Sequence, residues 1–396
     1  MRLVELAAWK VTLPLKQRIR HASHDRDAST NVVVRCRTDK GVAGWGEGVP
    51  RPYVTGETPD SCLQRFAEAD LGTLEGDLRD WPDVIAAVEA IGLKNDAQDL
   101  RGCSNNALRC AIELAVLDAA GQTLEEPLSV VIDHVPEAKQ VEYQRPEIRY
   151  STTITAMDAW AQRKSAIKMR VYDFRQCKIK VGVPDQDDIE TVARLRKWLG
   201  RRCNLRVDAN EAWDADTAIR QIRRLEPFRI TAVEQPLPHE DIDQLPAVRA
   251  ETRTPIMLDE SCTSAHDVTR AIDEKLAELL NIRLSKCGGY IACLRMAAQA
   301  RAAGLGYQLG CHPGESPILS AAGRHWACTV GGTWYLEGSY DRHLLTEILA
   351  EPDITFRYGG LAPAINRPGL GITVNETALL KLASDPIVRT LGPLRP

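Results

Sequence analysis

No C-x-x-C pair occurs among the eleven cysteines, which are odd in number and scattered along the chain. That excludes a disulfide frame and offers no zinc-ligand spacing; buried reduced thiols in a cytoplasmic protein are the expectation. No run of 18 or more uncharged apolar residues appears, so no membrane span is expected. Glu5 and Lys10 interrupt the N-terminal stretch, which reads as a strand and not as a signal peptide. A dominant charge sign is lacking too. The net charge of −4 and pI of about 6.1 give no general attraction to nucleic acid or to an anionic membrane. Low-complexity segments are absent, and 44% hydrophobic with 26% charged residues excludes disorder and fibrous classes.

What is present has two textures. Early on, apolar and polar residues alternate, as in Asn31-Val32-Val33-Val34-Arg35-Cys36. A turn at Asp39-Lys40-Gly41 follows, then Val42-Ala43-Gly44-Trp45-Gly46-Glu47-Gly48, which together predict an antiparallel meander. From 59 to about 120 the pattern is helical. Leu108, Ala111, Ile112, Ala115, Val116 and Ala119 predict a helix with one buried face, and Gly121 marks its expected end. After about 142, short apolar strands alternate with amphipathic helices. Polar residues follow the strands at Lys178 and Lys180, Asp208, Glu234, Asp259 and Lys286, in steps from Lys180 of 28, 26, 25 and 27 residues. Tyr307-Gln308-Leu309-Gly310 and Thr333-Trp334-Tyr335-Leu336 continue the period. Consecutive βα units at this length predict an α/β fold, a (β/α)-barrel, with an α+β capping domain. The expected boundaries are a cap over 1–125, a barrel over 142–358, and a Pro- and Gly-rich segment over 359–396 that packs back on cap or barrel.

Active sites of such barrels sit at the C-terminal strand ends, where these polar residues fall. Asp208, Glu234 and Asp259 each follow an apolar strand on consecutive units. One strand-end acid is often only a helix cap, but three gathered together repel one another, and a divalent cation relieves that repulsion. All-oxygen ligation points to Mg²⁺, with Mn²⁺ as an alternative, over Zn²⁺. In Cys177-Lys178-Ile179-Lys180 the two lysines leave one face of the strand. Lysines on an edge strand are commonplace, whereas in a barrel interior they need an anion or a base role. Like charge and Mg²⁺ are expected to lower their pKa values toward about pH 8. Lys286, four units further round, is expected to face Lys180 across the mouth. Two opposed lysines and one Lewis acid suit abstraction of a proton beside a carboxylate, through an enediolate.

These residues resemble the enolase superfamily, and within it the muconate lactonizing enzyme subgroup. The resemblance covers nearly the whole chain. It rests on Gly46-Glu47-Gly48-Val49-Pro50 with Tyr53-Val54-Thr55-Gly56-Glu57-Thr58, on the helix from Arg109 to Gly121, on K-x-K at Lys178 and Lys180, on the three acids, and on K-x-G-G at Lys286. It implies that Lys180 and Lys286 are the acid/base pair, that Lys178 holds the substrate carboxylate, and that Asp208, Glu234 and Asp259 bind Mg²⁺, with Asn210 and Glu260 supporting them. A cap loop carrying Arg20, His21, His24 and Arg26 would close the site, with a distal substrate anion or plain solvent as its partner. Tyr53 to Thr58 is similar to dipeptide epimerases, which usually carry D-x-D on the eighth strand. Here that stretch is Tyr335-Leu336-Glu337, a departure from the dipeptide pattern. Glu315, in Gly314-Glu315-Ser316, either ligates substrate or orients Lys286, or only precedes a helix; His312 is expected to be structural. The resemblance implies an isomerase (racemase, epimerase or cycloisomerase) acting on a small carboxylate such as an amino-acid derivative, dipeptide or muconate, in a homo-oligomer. A lyase such as a dehydratase on the same intermediate, and a catalytically idle barrel, are the other readings.

Overall fold

Two sheets organise the chain in this computed structural model, which describes residues 1–20, 25–155 and 157–392, with 19, 20 and 25 described by backbone alone. In the first sheet Leu3–Arg20 pairs antiparallel with Asp25–Thr38, and that strand with Ala43–Gly48. Ile387–Thr390, from the far end of the sequence, adds antiparallel to the open edge of the first strand.

The helix Asn106–Leu124 lies on this sheet. Gly44, Gly46 and Gly48 make the contact possible: a Cβ on each would come within 2.2, 2.0 and 1.9 Å of the carbonyl oxygens of Ala115, Ala111 and Ala107. Two strand residues advance about 6.7 Å and four helix residues about 6 Å, so the glycine and alanine rows stay in step. The helix differs from its expected form in two ways. It is buried on nearly all sides, because sheet and barrel sandwich it, and it runs on to Leu124. Gly121 lies inside it, where the backbone of Gly369 would stand 2.7 Å from an added Cβ.

The second sheet is parallel and has eight strands in sequential order: Thr152–Ile154, Gln176–Lys180, Asn204–Asp208, Ile230–Glu234, Ile256–Leu258, Leu279–Ile282, Gly306–Leu309 and Thr333–Leu336. A helix follows each of the first seven. The Ser151 amide donates to Leu336 O at 2.8 Å and brings the last strand round to the first. Among the described residues no helix is long and apolar enough to cross a membrane. All eleven cysteines are free thiols.

Candidate active site

The register of the parallel sheet sets side chains from successive strands beside one another. Lys180 is the cross-strand neighbour of Asp208, and Asp208 of Glu234. Asp259 lies just past the end of the next strand, where Gln235 Oε1 accepts its amide at 2.9 Å. The result is a row of three carboxylates, each at most 2% exposed, flanked by a lysine at either end.

At one end Lys180 Nζ donates to Asp208 Oδ2 and to Asn210 Oδ1, both at 2.6 Å. At the other, Lys286 Nζ donates to Asp259 Oδ1 at 2.8 Å and to the carbonyls of Asp259 and Asn281. Lys286 does not end a strand, as its period suggests; it stands in the turn after Leu279–Ile282, ahead of the helix Tyr290–Ala302. That turn needs its glycines. Gly289 has φ +120°, and a Cβ there would meet the Glu113 carboxylate at 2.6 Å. Asn106, opening the cap helix, donates to the carbonyl of Lys286 at 2.7 Å, so the cap fixes the lysine's backbone. Lys178 reaches into the middle of the row, with Glu337 Oε1 at 2.9 Å and Asp208 and Glu234 each at 3.3 Å.

Burial and neighbouring charge pull these groups in different directions. For Lys178 and Lys286 burial favours the neutral amine, but Glu234, Glu337 and Asp208 around the first and Asp259 beside the second outweigh it and hold both pKa values raised. At Lys178, without a divalent cation, the surrounding carboxylates thus outweigh the like charge from which a lowering was expected. Burial would raise Asp208, yet Lys180 and Lys178 bring it down to about 2. Asp259 is lowered likewise by Arg283 and Lys286 against burial. Burial and the charge of Asp208 push Glu234 up to about 7, and burial and Asp259 push Glu260 up to about 8.

The acids fit a cation by donor chemistry. Glu234 Oε2 and Glu260 Oε2 are buried oxygens without a hydrogen-bond partner, and an oxygen-seeking ion satisfies such atoms. As the side chains stand, lysines, Arg283, Asn210 and Asn281 occupy the other oxygens, and among the described residues no three His, Cys, Asp or Glu groups converge on a metal-binding point. Asn210 donates to Glu260 Oε1 at 3.1 Å, linking the two supporting residues.

The outer positions are spread more widely. Glu337 is buried between Lys178 and Arg206, which together lower its pKa against the effect of burial. Glu315 accepts from the His312 amide at 2.6 Å, and burial pushes it up to about 8. Arg26 donates to Tyr53 Oη at 3.0 Å. His21 and His24 lie outside the described residues, and of Arg20 only the backbone is described. Several polar residues here went unremarked in the sequence. Arg206 is fully buried and packs on Tyr335; its signal was a charge inside an apolar strand, Leu205-Arg206-Val207. Asn281 donates to Glu234 Oε1 at 2.8 Å, and Arg283 pairs with Asp259.

Residues 4–132 match the family model of the mandelate racemase/muconate lactonizing enzyme N-terminal domain, and residues 158–378 that of the enolase C-terminal domain-like family. An N-succinyl-L-Arg/Lys racemase of Bacillus cereus is 26% identical over 391 residues, covering 96% of this chain and 98% of that protein. An L-Lys-D/L-Arg epimerase of Methylococcus capsulatus is 30% identical over 376 residues, covering 94% and 99%. The crystal structure of a dipeptide epimerase from Cytophaga hutchinsonii, complexed with Mg and the dipeptide D-Ala-L-Val, superposes with a TM-score of 0.83 at 24% identity, over 98% of this chain and all of that one.

Proposed function

The chain belongs to the mandelate racemase/muconate lactonizing enzyme family of the enolase superfamily and is an isomerase, and we propose that it racemises or epimerises a small carboxylate by passing the α-proton between Lys180 and Lys286. One observation carries this reading: the two Nζ atoms stand at opposite ends of a single row of buried acids, Lys180 on Asp208 and Lys286 on Asp259. A carbon held over the middle of that row meets one amine on each face. One Nζ, when neutral, takes the proton, and the other, as an ammonium, delivers one from the opposite side, which inverts the centre.

Asp208, Glu234 and Asp259 would hold Mg²⁺, with Mn²⁺ as the alternative, and Asn210 and Glu260 would orient them. A divalent cation bound there would supply Lewis-acid stabilisation of negative charge on the substrate carboxylate and would neutralise acids now paired with lysine ammoniums. Lys178, at the centre of the row, is placed to pair with a substrate carboxylate oxygen. An amino-acid derivative or dipeptide is the substrate class, supported by the racemase and epimerase relatives.

Proton NMR in D₂O with Mg²⁺ tests the reading on N-acyl amino acids, dipeptides and muconates. Exchange at the α-carbon is expected for one class. Lys180→Ala and Lys286→Ala should each slow it by about 10²–10⁴-fold, the usual span for a general acid or base. Exchange that survives both substitutions would remove the lysines from the mechanism. Asp208→Asn should weaken Mg²⁺ binding measured by calorimetry, and an unchanged affinity would overturn the metal assignment.

A further inference from the structure

Strands Asn204–Asp208 and Ile230–Glu234 end in two of the three acids, so the loops at their starts lie on the opposite face of the barrel. Those loops enclose a hollow of about 540 Å³. Five cations line it, Arg196, Lys197, Arg201, Arg202 and Arg229, and no carboxylate does. A second hollow of about 390 Å³ adjoins it through residues 200–203 and adds Arg170 and Arg175. Its one acid, Asp173, pairs with Arg175 at 2.8 Å. Nearby, Glu226 accepts from the Arg253 amide at 2.7 Å, and Glu251 pairs with Arg223. Among the described residues Lys197, Arg201, Arg202 and Arg229 therefore have no ion-pair partner, in a chain whose net charge is −4.

Arg196 builds the floor of the larger hollow. Its Nε donates to Phe228 O at 2.9 Å, its Nη1 to Gly200 O at 3.1 Å and Cys203 O at 2.6 Å, and its Nη2 to Arg229 O at 3.0 Å. One guanidinium thus clamps the two loops together, and its charge meets only neutral carbonyls. Burial holds its pKa below the usual arginine value, and Arg229 adds to that. The Cys203 thiol is pushed up to about 11 by burial, so it supplies no thiolate counter-charge. Helix C-termini attract cations, which accounts for Arg196 and Lys197 in the last turn of Asp188–Leu199. It does not account for Arg201 and Arg202, past the helix end. Nor does it account for Arg229, whose φ of +56° is a conformation that favours glycine or asparagine.

We propose that this hollow binds a small molecule carrying two or more phosphates on the guanidiniums of Arg201, Arg202 and Arg229, with Pro227 and Phe228 as an apolar wall for any organic part. Guanidinium forks match phosphate oxygens in pairs, and three of them line one hollow here without a carboxylate. The cations are confined to two loops of a net-negative chain, so a nucleic-acid strand would meet repulsion beyond the hollow. The site is a strand's length from the catalytic lysines, and its ligand is distinct from the substrate of proton transfer. The inference does not rest on the proton-transfer reading.

Calorimetry on the full chain, without added Mg²⁺, tests the site with inorganic tripolyphosphate. One site per chain is expected, with a dissociation constant below about 1 mM that weakens as salt rises. Arg201→Ser, Arg202→Ser and Arg229→Gly should each weaken binding about three- to tenfold, and the triple variant should abolish saturable binding. Glycine suits the backbone at 229, so Arg229→Gly should melt no lower than the parent, and its weaker binding then reads the lost charge and not a lost fold. Lys180→Ala and Lys286→Ala should bind tripolyphosphate as the parent does. Loss of binding in those two would place the anion among the catalytic lysines and overturn the site. So would the absence of saturable binding, an affinity that the triple variant keeps, or tighter binding of a single-stranded oligonucleotide than of tripolyphosphate. ADP and pyrophosphate then separate the sources. Tighter binding of ADP, sensitive to the same variants, identifies a nucleotide; equal or tighter binding of pyrophosphate identifies an inorganic phosphate chain.

Discussion

Gly289 shows how tightly the segment carrying Lys286 is held. Its φ of +120° and ψ of −177° belong to a region that only glycine occupies readily, and the Glu113 carboxylate fills the space a side chain would need. Gly289→Ala should therefore lose about 2–5 kcal/mol, the sum of backbone strain and overpacking. A lowered urea midpoint at unchanged slope would register it; a midpoint equal to the parent's would show that the turn can relax. Other residue-scale features were legible to different degrees. Spacing alone put Lys178 and Lys180 on one strand face, and both reach Asp208. The surroundings of Lys178 were not readable, because a sequence reveals the like charge two positions away but not the carboxylates that arrive from neighbouring strands. Arg51 passed unnoticed for a similar reason. In Val49-Pro50-Arg51-Pro52 it reads as a loop charge, and its burial depends on a contact with Pro313 over 260 residues away in the sequence.

At the scale of elements, three buried glutamates of the cap sit on helix N-termini. Glu57 accepts from the amides of Ala107 and Leu108 at the start of the cap's own helix. Glu47 accepts from Ser316 and Leu319, and Glu113 from Tyr290 and Ile291, at the starts of two barrel helices. Each satisfies amides that a helix leaves open, and places negative charge at the positive end of the dipole. Through Glu47 and Glu113 the cap is joined to the two loops that carry His312 and Lys286. Burial raises Glu113 from 4.5 to about 7. Between those values the folded protein holds a proton that the unfolded chain has released, so this group's contribution is complete below pH 4.5 and is lost as pH rises toward 7. The loss is about 3 kcal/mol by linkage. Comparing urea unfolding of the parent and of Glu113→Gln from pH 4.5 to 8 isolates it: the gap between the two curves should change by roughly that amount across the window. Curves that run parallel would mean that Glu113 ionises in the fold as it does in water. The strand-and-helix period of the barrel was readable because each strand is short, apolar and followed by a polar residue. The glutamate caps were not readable, since they join residues 50 to 269 positions apart.

The whole molecule is closed by its C-terminal end. Ile387–Thr390 pairs with Ala8 back to Glu5, Leu391 N donates to Val4 O at 2.9 Å, and Arg389 donates to the carbonyls of Phe66 and Ala67. A strand from one end of the sequence thus protects the edge of a strand from the other, after the whole barrel has been traversed. Nothing in the local pattern of 387–390 says where that strand docks; the Pro- and Gly-rich composition of 359–396 indicated only that it folds back. Removing residues from 387 onward leaves a three-stranded sheet with an open edge of long, flat strand, the situation that invites pairing with another chain. The truncated protein should keep barrel secondary structure by circular dichroism while losing protection from hydrogen exchange at the amides of 4–9. It should also form concentration-dependent aggregates in light scattering. If proton exchange on substrate persists in that protein, Glu113 and Asn106 suffice to hold the cap helix against the Lys286 turn. If exchange is lost while the barrel stays folded, the catalytic arrangement depends on a sheet edge remote from the site, transmitted through the helix 106–124 that lies between them.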